Sequence, residues 1–180
     1  MHGTEAPSDW VTRWTPLLPR QSRILDLACG AGRHMRWLAA NGHRCLGVDR
    51  SAEALEAAKA YGEVLLADIE NGPWPLEGQR FDAVIVTHYL WRPLMPRILT
   101  SLKPKGLLIY ETFAMGQETI GKPSRSDFLL KPGELLETFA KLHFIAYEDG
   151  YLETPPKFVQ RIVASAEVPH SGQQFGLGCR

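Results

Sequence analysis

Long hydrophobic runs are missing from this 180-residue chain: no stretch approaches eighteen uninterrupted apolar residues, so no membrane-spanning helix is expected. The opening "MHGTEAPSDWVTRW" has no apolar segment of the kind that marks a secretory signal. Charge of one sign is missing too. Twenty Lys and Arg residues balance twenty Asp and Glu residues, and no block of five like charges occurs, which argues against a nucleic-acid or anionic-membrane surface. Cysteine is scarce. Cys29, Cys45 and Cys179 form no CxxC pair, which excludes a disulfide framework and fits a reducing, cytoplasmic setting. His34, His43, His88 and His143 have no close-spaced ligand partners, so no metal site is expected.

What is present is a composition 44% hydrophobic in a length suited to one core, so residues 1–167 are read as a single domain. The last residues, 168–180, contain three glycines and no usable period, and are read as a loose tail. A first helix is expected from a Ser8 cap to before Pro19, placing Trp10, Val11, Trp14 and Leu17 on one side as a cover. Then short apolar strands alternate with helices: "RILDLAC", "AGRHMRWLAANG", "RCLGVD", "SAEALEAAKAYG", "EVLLAD", "FDAVIVTH", a helix near 94–102, and "GLLIYETF". Strands this continuously apolar imply a largely parallel sheet buried on both faces, an α/β fold. "KPGELLETFAKL" is read as a further helix with Pro132 near its first position, and "HFIAYEDGYLE" and "KFVQRIVASAE" as a closing hairpin.

In such a sheet ligands gather at the carboxyl ends of the strands. The first strand delivers "DLACGAG", whose Gly30 and Gly32 permit a tight turn into a helix with its amides facing a ligand. Asp49 ends the second strand nineteen residues after Gly30, where a carboxylate can accept ribose hydroxyls. Asp68 ends the third, placed for a purine amine with Ile69 against the ring. A mononucleotide-phosphate loop is excluded because residues 24–58 contain no lysine. The dinucleotide fingerprint is weakened because Met35 occupies its third glycine position. Asp26 would repel a pyrophosphate but suits an ammonium group. A ligand with adenine, ribose and an amino acid, and no phosphate, satisfies the set.

"LDLACGAGRH", "GVDRS", "LLADIE" and "FDAVIVTHYLWRP" resemble the motif series of class I S-adenosylmethionine-dependent methyltransferases. "YETFAMGQETIGKPSRSDFLLKPGELLETF" is similar to the matching segment of the small bacterial methyltransferases related to tellurite resistance enzymes. The resemblance implies a seven-stranded Rossmann-like sheet of order 3-2-1-4-5-7-6, last strand antiparallel, with helices on both faces. It also implies S-adenosyl-L-methionine as cofactor. Asp26 and Gly30 would serve its methionine end, Asp49 the ribose, Asp68 and Ile69 the adenine, and Thr87 or His88 the approach behind the sulfonium, with Cys29, Gly32 and Arg50 also counted among the cofactor-binding residues.

Methyl transfer mainly asks a protein to align donor and acceptor, exclude water and accommodate a departing proton. Candidates on the acceptor side are His88, Tyr89, Trp91 and Arg92 after the fourth strand, and Glu111 and Thr112 after the fifth. His88 is a candidate base, and Arg92 a candidate partner for an oxyanion. Residues 114–130 are long, polar and glycine-punctuated, and read as a lid. Trp74 is read as a core or edge aromatic. The leading expectation is a methyltransferase acting on a small molecule, such as a chalcogen oxyanion or a thiol. A macromolecular acceptor and a non-catalytic cofactor-binding protein stand as alternatives.

Overall fold

The computed structural model describes residues 5–167; the segment 168–180 that the sequence marks as a tail lies outside them. Seven strands form one sheet: β1 (Arg23–Leu27), β2 (Arg44–Asp49), β3 (Glu63–Leu66), β4 (Phe81–Thr87), β5 (Leu102–Phe113), β6 (His143–Glu153) and β7 (Pro156–Ser165). Five α-helices accompany them: α1 (Asp9–Trp14), α2 (Arg33–Ala40), α3 (Ala52–Ala58), α4 (Met95–Thr100) and α5 (Glu134–Thr138). The strand order is β3-β2-β1-β4-β5-β7-β6, with β1 to β5 mutually parallel and β7 antiparallel to both neighbours. Among the described residues no helix is long and apolar enough to cross a membrane.

Strand alternation divides the core in two. Leu25, Leu27, Val84, Val86, Leu108 and Tyr110 point to one face, where Ile98 of α4 and Leu135 of α5 cover them. Ile24, Ala83, Ile85, Leu107 and Ile109 point to the other, under Trp10 and Trp14 of α1, Met35 and Leu38 of α2, and Leu55 of α3. Burial on both faces is why these strands read as continuous apolar runs. It also fixes the side on which Asp26 lies: two residues from Ile24 and directly beside Ile85 in the register, it shares their face, beneath α2.

Several boundaries differ from the sequence reading. The Ser8 hydroxyl caps α1 by accepting from Trp10 N, but the α-helix stops at Trp14 and a 3-10 turn over Thr15–Leu17 follows, because Pro16 has no amide hydrogen to donate to the preceding turn and its ring crowds the carbonyl there. The helix expected near 94–102 spans Met95–Thr100 after a 3-10 turn over Arg92–Leu94, and β5 already begins at Leu102. The helix expected over "KPGELLETFAKL" is only Glu134–Thr138. Gly133, at φ 73°, is its N-cap, so Pro132 falls outside, and fully buried Phe139 ends the helix by turning into the core. Strand β7 starts at Pro156, where a missing amide hydrogen costs the ladder least.

Candidate functional site

The carboxyl ends of β1, β2 and β3 meet at a carboxylate. Asp49 Oδ2 accepts from the Gly30 amide at 2.8 Å, and its Oδ1 accepts from the Ser51 amide at 2.9 Å, so one side chain ties the turn after β1 to the start of α3. Each oxygen keeps a lone pair for a further donor. Asp68 is held by its own turn: Oδ1 accepts from the Glu70 and Asn71 amides, and Oδ2 from the Asn71 side chain. The Asn71 amide, with those backbone donors, holds the Asp68 carboxyl below the usual carboxylate range.

Two adjoining cavities open here. One, of about 340 Å³, is lined by Asp49, Arg50, Asp68, Ile69, Tyr89 and Phe128 among others. The second, of about 680 Å³, is lined by Glu5, Cys29, Gly30, Arg33, His34 and Thr87 among others. Ala28 and His88 line both. Both residues have left-handed backbone, at φ 53° and 52°, at the ends of β1 and β4, a conformation that costs a non-glycine residue energy and that clusters at functional sites.

Gly32 has a packing role and lines neither cavity. A Cβ there would come within 2.9 Å of Ala58 Cβ, so its absence lets α2 lie against α3. The close helix-to-strand approach that a third glycine would allow is achieved elsewhere. Met35 packs over Gly47 of β2, where a Cβ would lie 2.4 Å from Met35 Sδ and 2.7 Å from Cys29 Sγ. The glycine has moved from the helix to the neighbouring strand.

Beneath α2, Asp26 is fully buried and lines neither cavity. Its Oδ2 has no hydrogen-bond partner among the described residues and lies 3.9 Å from His34 Nδ1. His34 Nε2 accepts from the Ser8 amide, which puts the ring proton on Nδ1, facing Asp26. Burial raises Asp26 to about 7, with the Arg33 charge opposing and Asp49 adding. Burial, followed by the Arg33 charge, lowers His34 to about 3. Burial likewise pushes the Cys29 thiol up, so it is no ready nucleophile.

On the β4, β5 and β7 side a second polar cluster forms. Glu111, 1% exposed, accepts from Ser8 Oγ at 3.0 Å, Lys157 Nζ at 3.1 Å and Arg161 Nη1 at 3.2 Å. Burial raises the Glu111 carboxyl, but Lys157, Arg161 and Ser8 outweigh it and hold it below its ordinary value. Arg161 also pairs with Glu148 and lies over the Trp10 ring, so α1 and β7 are joined through it. His88 stacks on Phe113. Arg33 Nη2 is 3.3 Å from its Nδ1, and Lys157 Nζ is 3.5 Å and Glu111 Oε1 3.8 Å from its Nε2. Burial first, then the Lys157 and Arg33 charges, lowers His88 to about 4. Tyr89 lines the smaller cavity; its hydroxyl has no partner among the described residues, and burial pushes it up.

Arg92 is not where an oxyanion partner would be. Its guanidinium donates to both carboxylate oxygens of Glu134, to Asp127 O and to Leu129 O, and it lines neither cavity. Glu111 likewise lines neither, and acts on the site only through its neighbours. Trp91 and Trp74 pack against the core, whereas Thr112 lines the smaller cavity. Residues 114–130 fold back over it with Pro123 and Phe128 on its wall. Sequence reasoning missed Ser8 as a site residue, Lys157 and Arg161. Their partners lie 46 to 103 residues away, and no local pattern marks them. Among the described residues no group of three or more His, Cys, Asp or Glu side chains converges as a metal site.

Residues 24–106 match the family described as "Methyltransferase domain". YqeM of Bacillus subtilis (strain 168), whose name assigns it provisionally to the methyltransferases, is 31% identical over 122 residues. That alignment covers 60% of this chain, and the chain spans about half the length of the relative, 49%. Among solved structures, TehB from Haemophilus influenzae superimposes with a TM-score of 0.76 at 17% identity, over 92% of this chain and 64% of that one. A TehB-like S-adenosylmethionine-dependent methyltransferase from Corynebacterium glutamicum gives 0.66 at 18% identity, over 88% of this chain and 87% of that one.

Proposed function

We propose that this chain is a class I S-adenosylmethionine-dependent methyltransferase that moves the methyl group to a small molecule of the oxyanion or thiol class, and does so mainly by positioning. The observation that carries the reading is the Asp49 carboxylate, fixed by the Gly30 and Ser51 amides at the edge of a cavity that also exposes Asp68 and Ile69. Its free lone pairs suit two ribose hydroxyls, and Ile69 offers an apolar face to the adenine. At the other end Gly30 faces open space, and Asp26, buried beneath α2 and outside both cavities, acts on an ammonium group there only through the residues between them. These features fit S-adenosylmethionine, which when bound supplies a methyl group already activated by its positive sulfur.

The protein's part is to hold the acceptor in line, within about 3 to 3.5 Å, and to keep water out. His88 lies at the junction of the two cavities and is neutral above about pH 4, so one ring nitrogen is free to accept a proton from the acceptor. Glu111 favours that protonation, and Arg33 and Lys157 oppose it. Arg33, which lines the larger cavity, also supplies the positive charge for an anionic acceptor that Arg92, engaged with Glu134, and Lys157, engaged with Glu111, do not. Tyr89, Thr112 and Phe113 give the acceptor side its walls.

Titration calorimetry tests the reading. S-adenosylhomocysteine is expected to bind in the micromolar range and NAD not to bind. Asp49→Ala is expected to lose about 2 to 4 kcal/mol, roughly thirtyfold to a thousandfold in affinity, through charge-assisted hydrogen bonds to the ribose. Binding of NAD in place of the homocysteine product would overturn the assignment.

A further inference from the structure

The segment after β5 leaves the sheet at Phe113 and returns at α5, and its two ends are laced together: Met115 N donates to Leu130 O, and Leu130 N to Phe113 O. Its outbound half is tied to β7, since Gln117 Oε1 accepts from Phe158 N and the Gln117 side chain donates to Lys122 O. The returning half, residues 123–129, carries Pro123 and Phe128 along the wall of the smaller cavity. Most of its hydrogen bonds are internal: Phe128 N to Arg125 O, Leu129 N to Ser126 O, and the Arg125 and Asp127 ion pair. Those that reach another element end on one side chain.

That side chain is Arg92, which follows the His88, Tyr89 and Leu90 run on the opposite wall of the same cavity. Its Nη1 donates to Asp127 O at 2.8 Å and its Nη2 to Leu129 O at 2.9 Å, the two carbonyls that flank Phe128. Its Nε and Nη2 donate to Glu134 Oε1 and Oε2 at 2.6 and 2.9 Å. Glu134, the first residue of α5, also accepts from Lys131 N at 2.8 Å, so it is itself fixed to the end of the segment. The hydrogen bond with Glu134 raises Arg92, which stays charged throughout. A planar fork of donors is needed to serve a carboxylate and two carbonyls at once; an ammonium group has neither the reach nor the geometry.

We propose that Arg92 and Glu134 form a clamp that sets residues 123–129 against the cavity, making Arg92 a positioning residue for the wall formed by Pro123 and Phe128. That this wall faces the methyl acceptor rests on the methyltransferase reading; the clamp itself does not. Without it residues 123–128 are held by their own turns and by the anchored Leu129 and Leu130 that follow, and the wall loses its fixed distance from His88 and Tyr89.

The sequence supplies a local probe. Lys122 and Lys131 each precede proline, so trypsin finds one readily cut bond in this stretch, Arg125–Ser126, and the Arg125 side chain is 72% exposed. Cleavage there reports local opening. In the folded full-length protein, Arg92→Ala and Glu134→Ala are expected to speed cutting at this bond about tenfold or more while other tryptic bonds keep their wild-type rates. The double variant should be cut no faster than the faster single one, and Arg92→Lys should recover part of the protection. Unchanged cutting at Arg125, or equal acceleration at every tryptic bond, would overturn the clamp. Calorimetry on the wild type answers the other question separately: a protein that fails to bind S-adenosylhomocysteine yet shows the selective nick keeps the clamp and loses the catalytic reading.

Discussion

The two walls of the site are built by opposite means. On the β1 to β3 side, carboxylates are fixed by backbone amides: Asp49 by Gly30, nineteen residues before it, and by Ser51, and Asp68 by the two residues that follow its neighbour Ile69. On the β4, β5 and β7 side, one buried carboxylate is balanced by side chains drawn from across the chain, with Ser8, Lys157 and Arg161 converging on Glu111. A backbone-anchored acid can stand half in solvent with lone pairs to spare for a ligand. A buried acid matched by two cations has little to offer a ligand, and its contribution is to join α1, β5 and β7 into one block. Recognition and cohesion are thus divided between the two walls.

The sharpest way to break this contrast is to remove a cation from the buried cluster. Arg161→Ala leaves Glu111 with Lys157 as its one cation beside the Ser8 hydroxyl, leaves Glu148 with Arg13, and is expected to cost about 2 to 3 kcal/mol of stability, toward the order found when a buried charge loses a partner. Asp68→Ala, on the exposed wall, should leave the melting temperature unchanged. Chemical denaturation of both variants checks the pair, and equal losses would erase the distinction. A smaller effect is expected inside the recognition wall. Gly47→Ala drives a methyl group into Met35 and Cys29 and should cost about 2 kcal/mol, as overpacking does; Met35→Ala in the same chain should restore part of it.

The third effect is a pH slope. His34 is lowered in the folded state, so between about pH 3 and its ordinary value of 6.5 the unfolded chain binds more protons, and this contribution to stability is lost as pH falls. Asp26 is raised, so between 3.8 and about 7 the folded chain binds more protons, and stability is gained as pH falls. The two slopes oppose each other from about pH 4 to 6.5. His34→Asn leaves Asp26 unopposed, and the variant is expected to gain on the wild type by roughly 1 kcal/mol per pH unit as pH falls through that window. Parallel stability curves for the two proteins would show that the buried pair is not coupled in this sense.

What the sequence disclosed follows the same division. The strand order was legible because alternating apolar residues and turn-forming glycines announce each element of an α/β sheet locally, and the motif resemblance ordered the strands. The placement of Asp49 and Asp68 on one cavity was legible because each acid ends an apolar strand, and parallel strands bring their carboxyl ends to one edge of the sheet. Arg92 was misread because its partner, Glu134, lies 42 residues away behind a segment whose course no periodicity reveals. The helix over "KPGELLETFAKL" was drawn too long because Leu136 and Phe139 keep a helical spacing while the backbone has already turned to bury the ring. The space that Met35 occupies at the fingerprint's third position is opened by Gly47 on β2, a compensation that no local motif displays.

One contact sets a schedule for biosynthesis. The Trp10 indole donates to Ile162 O at 3.2 Å across 152 residues of chain, and Ser8 beside it reaches both Glu111 and His34. Helix α1 is made before every strand of the sheet, and part of its docking surface, with Ile24, Ile85 and Ile109, arrives with β1, β4 and β5, but the surface is complete only once β7 has been made and inserted between β5 and β6. Until then Trp10 and Trp14, both buried in the finished fold, are incompletely covered and leave sticky apolar surface on the nascent chain. The block joining α1, β5 and β7 is completed last, so a truncated translation product that stops short of β7 would lack a fully docked α1 and present those two indoles to the quality-control machinery.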